Sequence, residues 1–268
     1  MKEIMKTENI KLVIFDWAGT TIDYGCFAPI SAFIKAFKAC GVDLTPQQAR
    51  GPMGLHKQDH IRSLFQLEEI AAQWESLHQR AWTEQDVKHI YETFMPLQIE
   101  EAKLFTDLVP GLCETISILR EQGIKIGSTT GYPRIVAEPV LEAARAQGYA
   151  PDFSMCADEV PAGRPAPWMI YRNMEALSVF PPSAVVKVGD TVPDIEAGLN
   201  AGTWTVGLTQ TGSEVGLTVA EFEALSDEQK ADLLATAETK LKNAGAHFVI
   251  PTLEGLPGII DELNEREN

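Results

Sequence analysis

The stretch KLVIFDWAGTT, Lys11–Thr21, decides the fold of this chain. Residues 11–15 form a short, mainly apolar run, which predicts a strand buried in a parallel sheet. Asp16 ends this run, and the glycine and threonines that follow it predict a turn. The stretch therefore predicts a strand with a carboxylate at its carboxyl end.

Four comparable strand patterns follow, with helical patterns between them. The predicted strands are 124–128, 185–188, 203–206 and 247–250. Helices are predicted at 111–121 and 194–201, the second closed by Gly202, because a helix C terminus favours glycine. The alternation predicts right-handed crossovers and a doubly wound, Rossmann-like α/β core with a five-stranded parallel sheet. Ligands of such cores bind at the carboxyl ends of the strands.

Residues 24–100 break this alternation, because helical patterns occur there without a strand. The sequence TPQQ, Thr45–Gln48, combines an N-cap, a proline at the first helical position and a capping-box glutamine. A second helix then places Lys57 and His60 on one helical face. The predicted domains are a helical cap at 24–100 and an α/β core made of 1–23 and 101–268.

The composition narrows the classes of function. The 268 residues include 38 acidic and 22 basic side chains, a formal charge of −16, which repels nucleic acids and anionic membranes. No apolar run reaches the roughly eighteen residues that a membrane span needs, and Met1–Ile10 is charged rather than signal-like, so we expect a cytoplasmic protein. The four cysteines form no CxxC pair and are expected to be reduced core residues.

Four groups of polar residues follow predicted strands or rigid turns. Asp16 could attack a phosphorus atom and form an aspartyl phosphate. Asp190 and Asp194, in VGDTVPD, could hold magnesium, although Asp194 could instead cap its helix. The sequence STTGY, Ser128–Tyr132, offers hydroxyls and a glycine backbone to phosphoryl oxygens. Arg164, between two prolines, could neutralise a phosphoryl group. Each group alone also has a purely structural explanation.

In this order, the four groups resemble the motifs of the haloacid dehalogenase superfamily: nucleophilic aspartate, hydroxyl residue, basic residue and acidic metal loop. The resemblance implies a core of that superfamily's type with an inserted cap. Phosphatases of the superfamily carry a second aspartate two residues after the nucleophile, which protonates the leaving alkoxide, whereas this chain has Ala18 there. An ordinary phosphate ester would lack its acid.

Ala18 and Lys57 together favour a substrate with a carbon–phosphorus bond. A carbanion leaves only when its electrons can be delocalised, and an imine between Lys57 and a neighbouring aldehyde would accept them as an enamine. No oxygen then needs a proton, so alanine suffices. Lys57 must be unprotonated to attack the aldehyde, and we expect its pKa to lie below the usual value of about 10.4.

Five stretches resemble the phosphonoacetaldehyde hydrolase, or phosphonatase, family, and the resemblance covers nearly the whole chain. They are FDWAGTT at 15–21, DYGC at 23–26, PMG at 52–54, GSTTGY at 127–132 and VPAGRP at 160–165. The resemblance implies hydrolysis of phosphonoacetaldehyde to acetaldehyde and phosphate in the degradation of 2-aminoethylphosphonate. It also implies a homodimer paired through the cap, where Trp74, Leu77 and Trp82 could form the surface or belong to the cap core.

By this resemblance Asp16 is the nucleophile and Lys57 forms the imine. The residues expected to bind Mg²⁺ are Asp16, Ala18 through its backbone carbonyl and Asp190, with Asp194 supporting the metal through water. The residues expected around the lysine and the phosphoryl group are Cys26, Met53, His60, Thr130, Gly131, Tyr132 and Arg164. His60 is a candidate for proton transfer, because the pKa of histidine lies near neutrality.

Two other functions stay open at this point. One is a phosphomonoester phosphatase or phosphosugar mutase on the same fold, against which Ala18 argues. The other is a catalytically silent module that binds magnesium or phosphate, because a fold alone does not establish activity. Such a module should bind metal without releasing phosphate.

Overall fold

The computed structural model describes residues 9–265, and these contain one parallel sheet of six strands. The strands are β1 Leu12–Phe15, β2 Lys125–Thr130, β3 Phe153–Cys156, β4 Val185–Gly189, β5 Trp204–Leu208 and β6 Phe248–Ile250. Their spatial order is β3-β2-β1-β4-β5-β6, so the chain winds outward on one side of β1 and then on the other. The predicted doubly wound α/β fold is confirmed. The ligand crevice of such a sheet falls where the winding reverses, between β1 and β4.

The prediction of five strands was wrong by one. The strand missed is β3, which lies at an edge of the sheet and pairs with β2 alone among the described strands. Its sequence, FSMC, is short, and three of its four residues are half-buried. It therefore lacks the continuous apolar run by which the other strands were recognised.

Twelve α-helices accompany the sheet within the described residues. They are α1 Phe27–Ala39, α2 Pro46–Arg50, α3 Lys57–Phe65, α4 Glu68–His78, α5 Glu84–Leu104, α6 Leu112–Glu121, α7 Arg134–Ala146, α8 Trp168–Ala176, α9 Val192–Ala201, α10 Val219–Glu223, α11 Asp227–Asn243 and α12 Leu256–Glu265. The first six lie between β1 and β2, of which α1 to α5 form the expected inserted helical unit and α6 leads into β2. The later helices follow the strands of the sheet.

The local signals that place Lys57 in this insertion are confirmed. Thr45 caps α2, and the Gln48 side chain accepts a hydrogen bond of 2.9 Å from the Thr45 amide, which completes the capping box. Helix α2 ends at Arg50, and α3 begins at Lys57. Lys57 and His60 therefore share the first turn of α3, and both side chains are buried.

The inserted helices have a hydrophobic core of their own. Its fully buried aromatic members are Phe33, Phe37, Phe65, Trp74 and Phe94. Trp82 packs against this core, whereas Leu77 is 54% exposed. Trp74 and Trp82 therefore belong to the core of the cap.

Helix α5 connects the cap to the core of the molecule. It contributes Phe94 to the hydrophobic core of the cap and Ala102 to the core against the sheet. The expected boundary between residues 100 and 101 therefore falls inside a continuous helix. The limits of the two domains remain a prediction.

All four cysteines are free, and they differ in burial. Cys26 and Cys156 are buried, Cys40 is partly buried and Cys113 is exposed. The expectation of a core position was wrong for Cys113, because the buried residues of α6 repeat at helical spacing and Cys113 lies off that face. Most of the charged segment Met1–Ile10 lies outside the described residues, and no helix within 9–265 has both the length and the apolar character of a membrane span.

Candidate active site

Three carboxylates meet at the carboxyl end of the sheet. Asp16 directly follows β1, Asp190 directly follows β4, and Asp194 lies in the first turn of α9. All three are buried, and one oxygen from each lies within 4.8 Å of the others. The topology brings them together, because adjacent parallel strands end at the same edge of the sheet.

Two basic side chains neutralise part of this charge. Arg164 Nη1 lies 3.0 Å from Asp16 Oδ1 and also contacts Asp194. Lys187 Nζ lies 2.7 Å from Asp194 Oδ1. Burial would raise the pKa of Asp194, but the charges of Arg164 and Lys187 lower it to about 2. Asp194 is therefore ionised and held by two cations.

Asp190 has hydrogen-bond donors but no cation beside it among the described residues. The Ser213 amide donates to Asp190 Oδ2 at 2.8 Å, and Thr20 Oγ1 donates to Oδ1 at 3.2 Å. Burial first, and then the charges of Asp16 and Asp194, raise the pKa of Asp190 to about 7. Burial raises the pKa of Asp16 as well.

This arrangement fits a divalent metal ion. Three buried carboxylates face two close cations, so the cluster is short of positive charge, and carboxylate oxygens are the donors that Mg²⁺ prefers. Two glycines let the surrounding loops close on Asp190. A Cβ on Gly19 would lie 2.7 Å from Asp190 Oδ2, and one on Gly212 would lie 2.5 Å from Asp190 Cβ.

A narrow cleft lies between this cluster and the cap. The predicted site residues that line it are Asp16, Ala18, Cys26, Met53, Lys57, Thr130, Gly131, Tyr132 and Arg164. Pro29, Gly54, Leu55 and Thr191 also line it, and they were not among the predicted site residues. The structure thus brings the cap lysine and the core carboxylate into one cavity.

Lys57 is a buried amine without a carboxylate partner among the described residues. Its side chain is among the buried charged groups, and Nζ lies 5.4 Å from the Phe33 ring centroid and 5.7 Å from that of Tyr132. Burial lowers the pKa of Lys57 from 10.5 to about 8, and the charge of Arg164 adds to the effect, although Asp16 opposes it. The expected lowering of this pKa is confirmed.

Lys57 is also the first residue of α3. The unpaired amide groups at a helix N terminus carry partial positive charge, which further disfavours an ammonium group there. The neighbouring side chains are neutral, because burial raises the pKa of both the Cys26 thiol and the Tyr132 hydroxyl well above their usual values. The cap side of the cleft is therefore a weakly solvated environment for a free amine.

His60 lies behind the cleft rather than in its lining. Its ring stacks on Phe33 with centroids 3.9 Å apart, and Nε2 lies 2.9 Å from the Ala49 carbonyl oxygen, so Nε2 carries the hydrogen. Nδ1 is buried and has no partner among the described residues. Burial, together with the charge of Lys57, lowers the pKa of His60 well below 6.5, so the ring is neutral and the expected pKa near neutrality was wrong.

Several contacts of the site were not predicted from the sequence. Lys187 was seen only as part of a strand, although a lysine within the apolar run VVKV was a detectable signal for a buried charge partner. Ser213 acts through its backbone amide, so its side chain gave no signal. Trp17 is buried, and its indole nitrogen donates to Ser128 Oγ at 3.0 Å.

The fold and this site define a class of protein. A model of the haloacid dehalogenase-like hydrolase family matches residues 10–202, and a related model for haloacid dehalogenase-like hydrolases matches residues 161–253. The chain is thus a hydrolase of the haloacid dehalogenase type, with a parallel core, an inserted helical cap and a buried aspartate cluster.

Closer relatives narrow the class to one family. The phosphonoacetaldehyde hydrolase of Syntrophobacter fumaroxidans is 46% identical over 97% of this chain and 94% of its own length. A bifunctional phosphonoacetaldehyde hydrolase/aminoethylphosphonate transaminase of Clostridioides difficile is 47% identical over 94% of this chain, which spans 40% of that protein. The crystal structure of a phosphonoacetaldehyde hydrolase like protein from Oleispira antarctica has a TM-score of 0.96 and 40% identity, covering 100% of this chain and 97% of that one. The chain belongs to the phosphonoacetaldehyde hydrolase family.

Proposed function

We propose that the chain hydrolyses the carbon–phosphorus bond of phosphonoacetaldehyde and releases acetaldehyde and phosphate. The observation that carries the proposal is Lys57, a buried amine whose pKa is lowered to about 8 in the same cavity as Asp16. Ala18 lies where an ester hydrolase would need an acid. The names of the relatives point to the same reaction.

The first step is formation of an imine. The free amine of Lys57 attacks the aldehyde carbon, and water leaves with uptake of one proton, so the nitrogen carries a positive charge as a protonated imine. With a pKa of about 8, roughly a tenth of the amine is free at pH 7, compared with well under a thousandth at a pKa of 10.5. The buried position therefore increases the reactive fraction by more than a hundredfold.

The second step is transfer of the phosphoryl group to Asp16. A carboxylate oxygen of Asp16 attacks phosphorus, the carbon–phosphorus bond breaks, and its electron pair moves toward the protonated imine to give an enamine on Lys57. Arg164 is placed to orient the reacting groups, because its Nη1 lies 3.0 Å from Asp16. Its Nε is a buried donor that no group in residues 9–265 accepts, and a phosphoryl oxygen could do so.

The remaining lining residues divide between the two ends of the substrate. Thr130, the last residue of β2, and Gly131, which follows it, line the cleft with Asp16 and are proposed to bind phosphoryl oxygens. Cys26, Met53 and Tyr132 are proposed to surround the aldehyde end next to Lys57. The Tyr132 hydroxyl is buried without a partner in the described residues, so it can donate to a ligand.

Magnesium is the cofactor that fits the carboxylate cluster. The residues proposed to hold it are Asp16, the backbone carbonyl of Ala18 and Asp190, with Asp194 supporting it through water. When bound, Mg²⁺ would supply positive charge that stabilises the phosphoryl group during transfer. Asp194 is already held by Arg164 and Lys187, which suits a supporting role better than direct binding.

Two hydrolytic steps complete the reaction. The enamine takes a proton on carbon, and water then releases acetaldehyde and regenerates the Lys57 amine. A second water hydrolyses the phosphoryl group from Asp16. Neutral His60 lies one helical turn from Lys57 and behind the cleft, so it is proposed to support the lysine side of the site rather than to transfer protons itself. The sum of the steps consumes one water.

The bifunctional relative in C. difficile joins two activities by its name, a phosphonoacetaldehyde hydrolase and an aminoethylphosphonate transaminase. We accordingly place this chain in 2-aminoethylphosphonate degradation, with a transaminase supplying the aldehyde. A cytoplasmic location and a homodimer paired through the cap belong to the same proposal. Light scattering on a size-exclusion column tests the dimer, and a monomeric mass would overturn that part.

The test is simultaneous measurement of acetaldehyde and phosphate released from phosphonoacetaldehyde with Mg²⁺, alongside phosphate released from an aryl phosphate. We expect equal amounts of the two products and little turnover of the aryl phosphate. The matched variant is Ala18→Asp, which restores an acid and is expected to favour the aryl phosphate. Efficient aryl phosphate turnover by the wild type would support a phosphatase instead, and inactivity on both would support a binding module.

A further inference from the structure

Arg50, the last residue of α2 in the cap, makes an unusual set of contacts with the rest of the molecule. Its guanidinium donates to the carbonyl oxygens of Gly25 at 2.6 Å, Gly216 at 3.1 Å and Ser213 at 3.4 Å. No carboxylate is hydrogen-bonded to it within the described residues. Its hydrogen bonds therefore all end on backbone, and two of the three acceptors lie in the core rather than in the cap.

The contact with Gly216 leaves no room for a side chain. Gly216 has φ +62, and a Cβ there would lie 2.7 Å from both Cζ and Nε of Arg50. Gly25 is held in turn, because its amide donates to the Thr211 carbonyl at 2.8 Å. The guanidinium thus joins the start of the cap to the core loop 211–216.

The other side of the same loop contacts the metal-binding cluster. Ser213 accepts from Arg50 through its carbonyl and donates to Asp190 Oδ2 through its amide at 2.8 Å. Thr211 Oγ1 donates to the Gly19 carbonyl at 2.7 Å, in the loop after the nucleophile Asp16. The loop 211–216 therefore connects Arg50 with Asp190 and with the loop that follows Asp16.

We infer that Arg50 is a positioning residue that couples closure of the cap to the orientation of Asp190 through the loop 211–216. When the cap is seated, Arg50 holds the loop and the Ser213 amide fixes the Asp190 carboxylate. When the cap moves away, the loop loses its outer support and Asp190 loses its fixed orientation. The inference rests on the proposed function, because it assigns Asp190 to the metal.

The first experiment compares wild type, Arg50→Ala and Arg80→Ala without substrate. Arg80 is the matched control, because it is a cap arginine that bonds Asp86 within the cap. Hydrogen exchange of peptides covering 209–217 and calorimetric binding of Mg²⁺ are the two readouts. We expect Arg50→Ala to speed exchange of this loop at least tenfold and to weaken Mg²⁺ binding about 10–100-fold, with neither change in Arg80→Ala.

The inference is overturned if Arg50→Ala exchanges and binds Mg²⁺ like the wild type. It is also overturned if Arg80→Ala shows equal changes, because these would indicate general loosening of the cap. Added guanidinium ion should restore part of the metal affinity of Arg50→Ala. If the wild type fails to release acetaldehyde and phosphate, the proposed function fails, while exchange and metal binding still test the coupling.

Gly216→Ala approaches the same contact from the core and keeps the inference testable if Arg50→Ala does not fold. We expect Gly216→Ala to weaken Mg²⁺ binding in the same way. The double variant should bind Mg²⁺ as tightly as the single variant that has the lower affinity. The strain of a Cβ at positive φ does not depend on Arg50, so it cancels in the double-mutant cycle. Additive losses of metal affinity would contradict the coupling.

Discussion

Two buried lysines mark the two halves of the site, and their surroundings are opposite. Lys187, in the core, is 1% exposed, lies 2.7 Å from Asp194 and donates to the Val188 carbonyl at 2.8 Å. Lys57, in the cap, is 5% exposed and faces the rings of Phe33 and Tyr132. The first is a paired structural charge. The second is an amine whose pKa is lowered by burial, so that it loses its proton more easily. Burial alone therefore does not define the role of a lysine.

The largest effect is expected for Lys57→Ala. Because the variant cannot form the imine, the electrons of the carbon–phosphorus bond have no acceptor. Turnover of phosphonoacetaldehyde should fall on the order of 10⁴-fold or more, as it does when a covalent catalytic group is removed. Steady-state kinetics measures it, and unchanged Mg²⁺ binding is the control. Activity within tenfold of wild type would rule out the imine.

Lys187→Met should strongly reduce stability. It leaves Asp194 buried with only Arg164 as a counter-charge, and breaking a buried pair from one side costs about 3–5 kcal/mol. Urea denaturation at pH 7 measures the free energy of unfolding. A change below about 1 kcal/mol would show that Lys187 is not the partner on which Asp194 depends.

Removal of Mg²⁺ or of its proposed ligand Asp190 should affect turnover but not imine formation at Lys57. Chelation should abolish turnover and added Mg²⁺ should restore it, because three buried carboxylates are otherwise short of positive charge. Asp190→Asn should raise the Mg²⁺ concentration for half-maximal activity by about 100-fold or more. Full activity after exhaustive chelation would contradict the assignment. Reductive labelling of Lys57 by acetaldehyde, which needs no metal, should persist in both cases.

The pH dependence should report the amine of Lys57. Its pKa in the folded protein is about 8, so the reactive free amine increases about tenfold per unit up to pH 8 and then levels off. We expect labelling of Lys57 with acetaldehyde and cyanoborohydride to be about 100-fold slower at pH 6 than on the plateau. A midpoint near 10.5 would mean that burial does not lower this pKa.

Lys57→Met should have the smallest effect, and its sign should oppose that of Lys187→Met. The pKa of Lys57 is about 8 when folded and 10.5 when unfolded. Keeping the charged amine buried therefore opposes folding at pH 7, and this cost disappears as the pH rises from 8 to 10.5. The variant should be more stable by about 1–3 kcal/mol at pH 7 and gain little above pH 10.

Lys88→Met is the matched control for that measurement, because Lys88 is an exposed cap lysine 3.9 Å from Glu92. Its effect should stay within about 0.5 kcal/mol at both pH values. Destabilisation by Lys57→Met at pH 7 would mean that the two buried lysines are alike after all.

The sequence predicted the parts of the molecule that depend on local pattern. KLVIFDWAGTT predicted β1 and its loop, and the capping box at Thr45–Gln48 predicted α2. Lys57 was identified less directly, from the missing acid at Ala18 and a family resemblance. Each of these signals lies within a few neighbouring residues, where spacing and residue type are informative.

What the sequence did not indicate depends on contacts between distant positions. Arg50 and Gly216 are 166 positions apart, and the bond between them ends on a backbone carbonyl that any residue type offers. The same holds for the Ser213 amide on Asp190. The edge strand β3 was missed because most of its residues are only partly buried, so its sequence has no continuous apolar run.

Lys57 is proposed to form a covalent imine with the substrate. The most direct measurement is reduction with borohydride during turnover of phosphonoacetaldehyde, followed by peptide mass spectrometry. We expect loss of activity together with an ethyl group on Lys57, absent from Lys57→Arg and from samples without aldehyde. Unmodified Lys57 in enzyme that continues to release acetaldehyde and phosphate under the same conditions would contradict it.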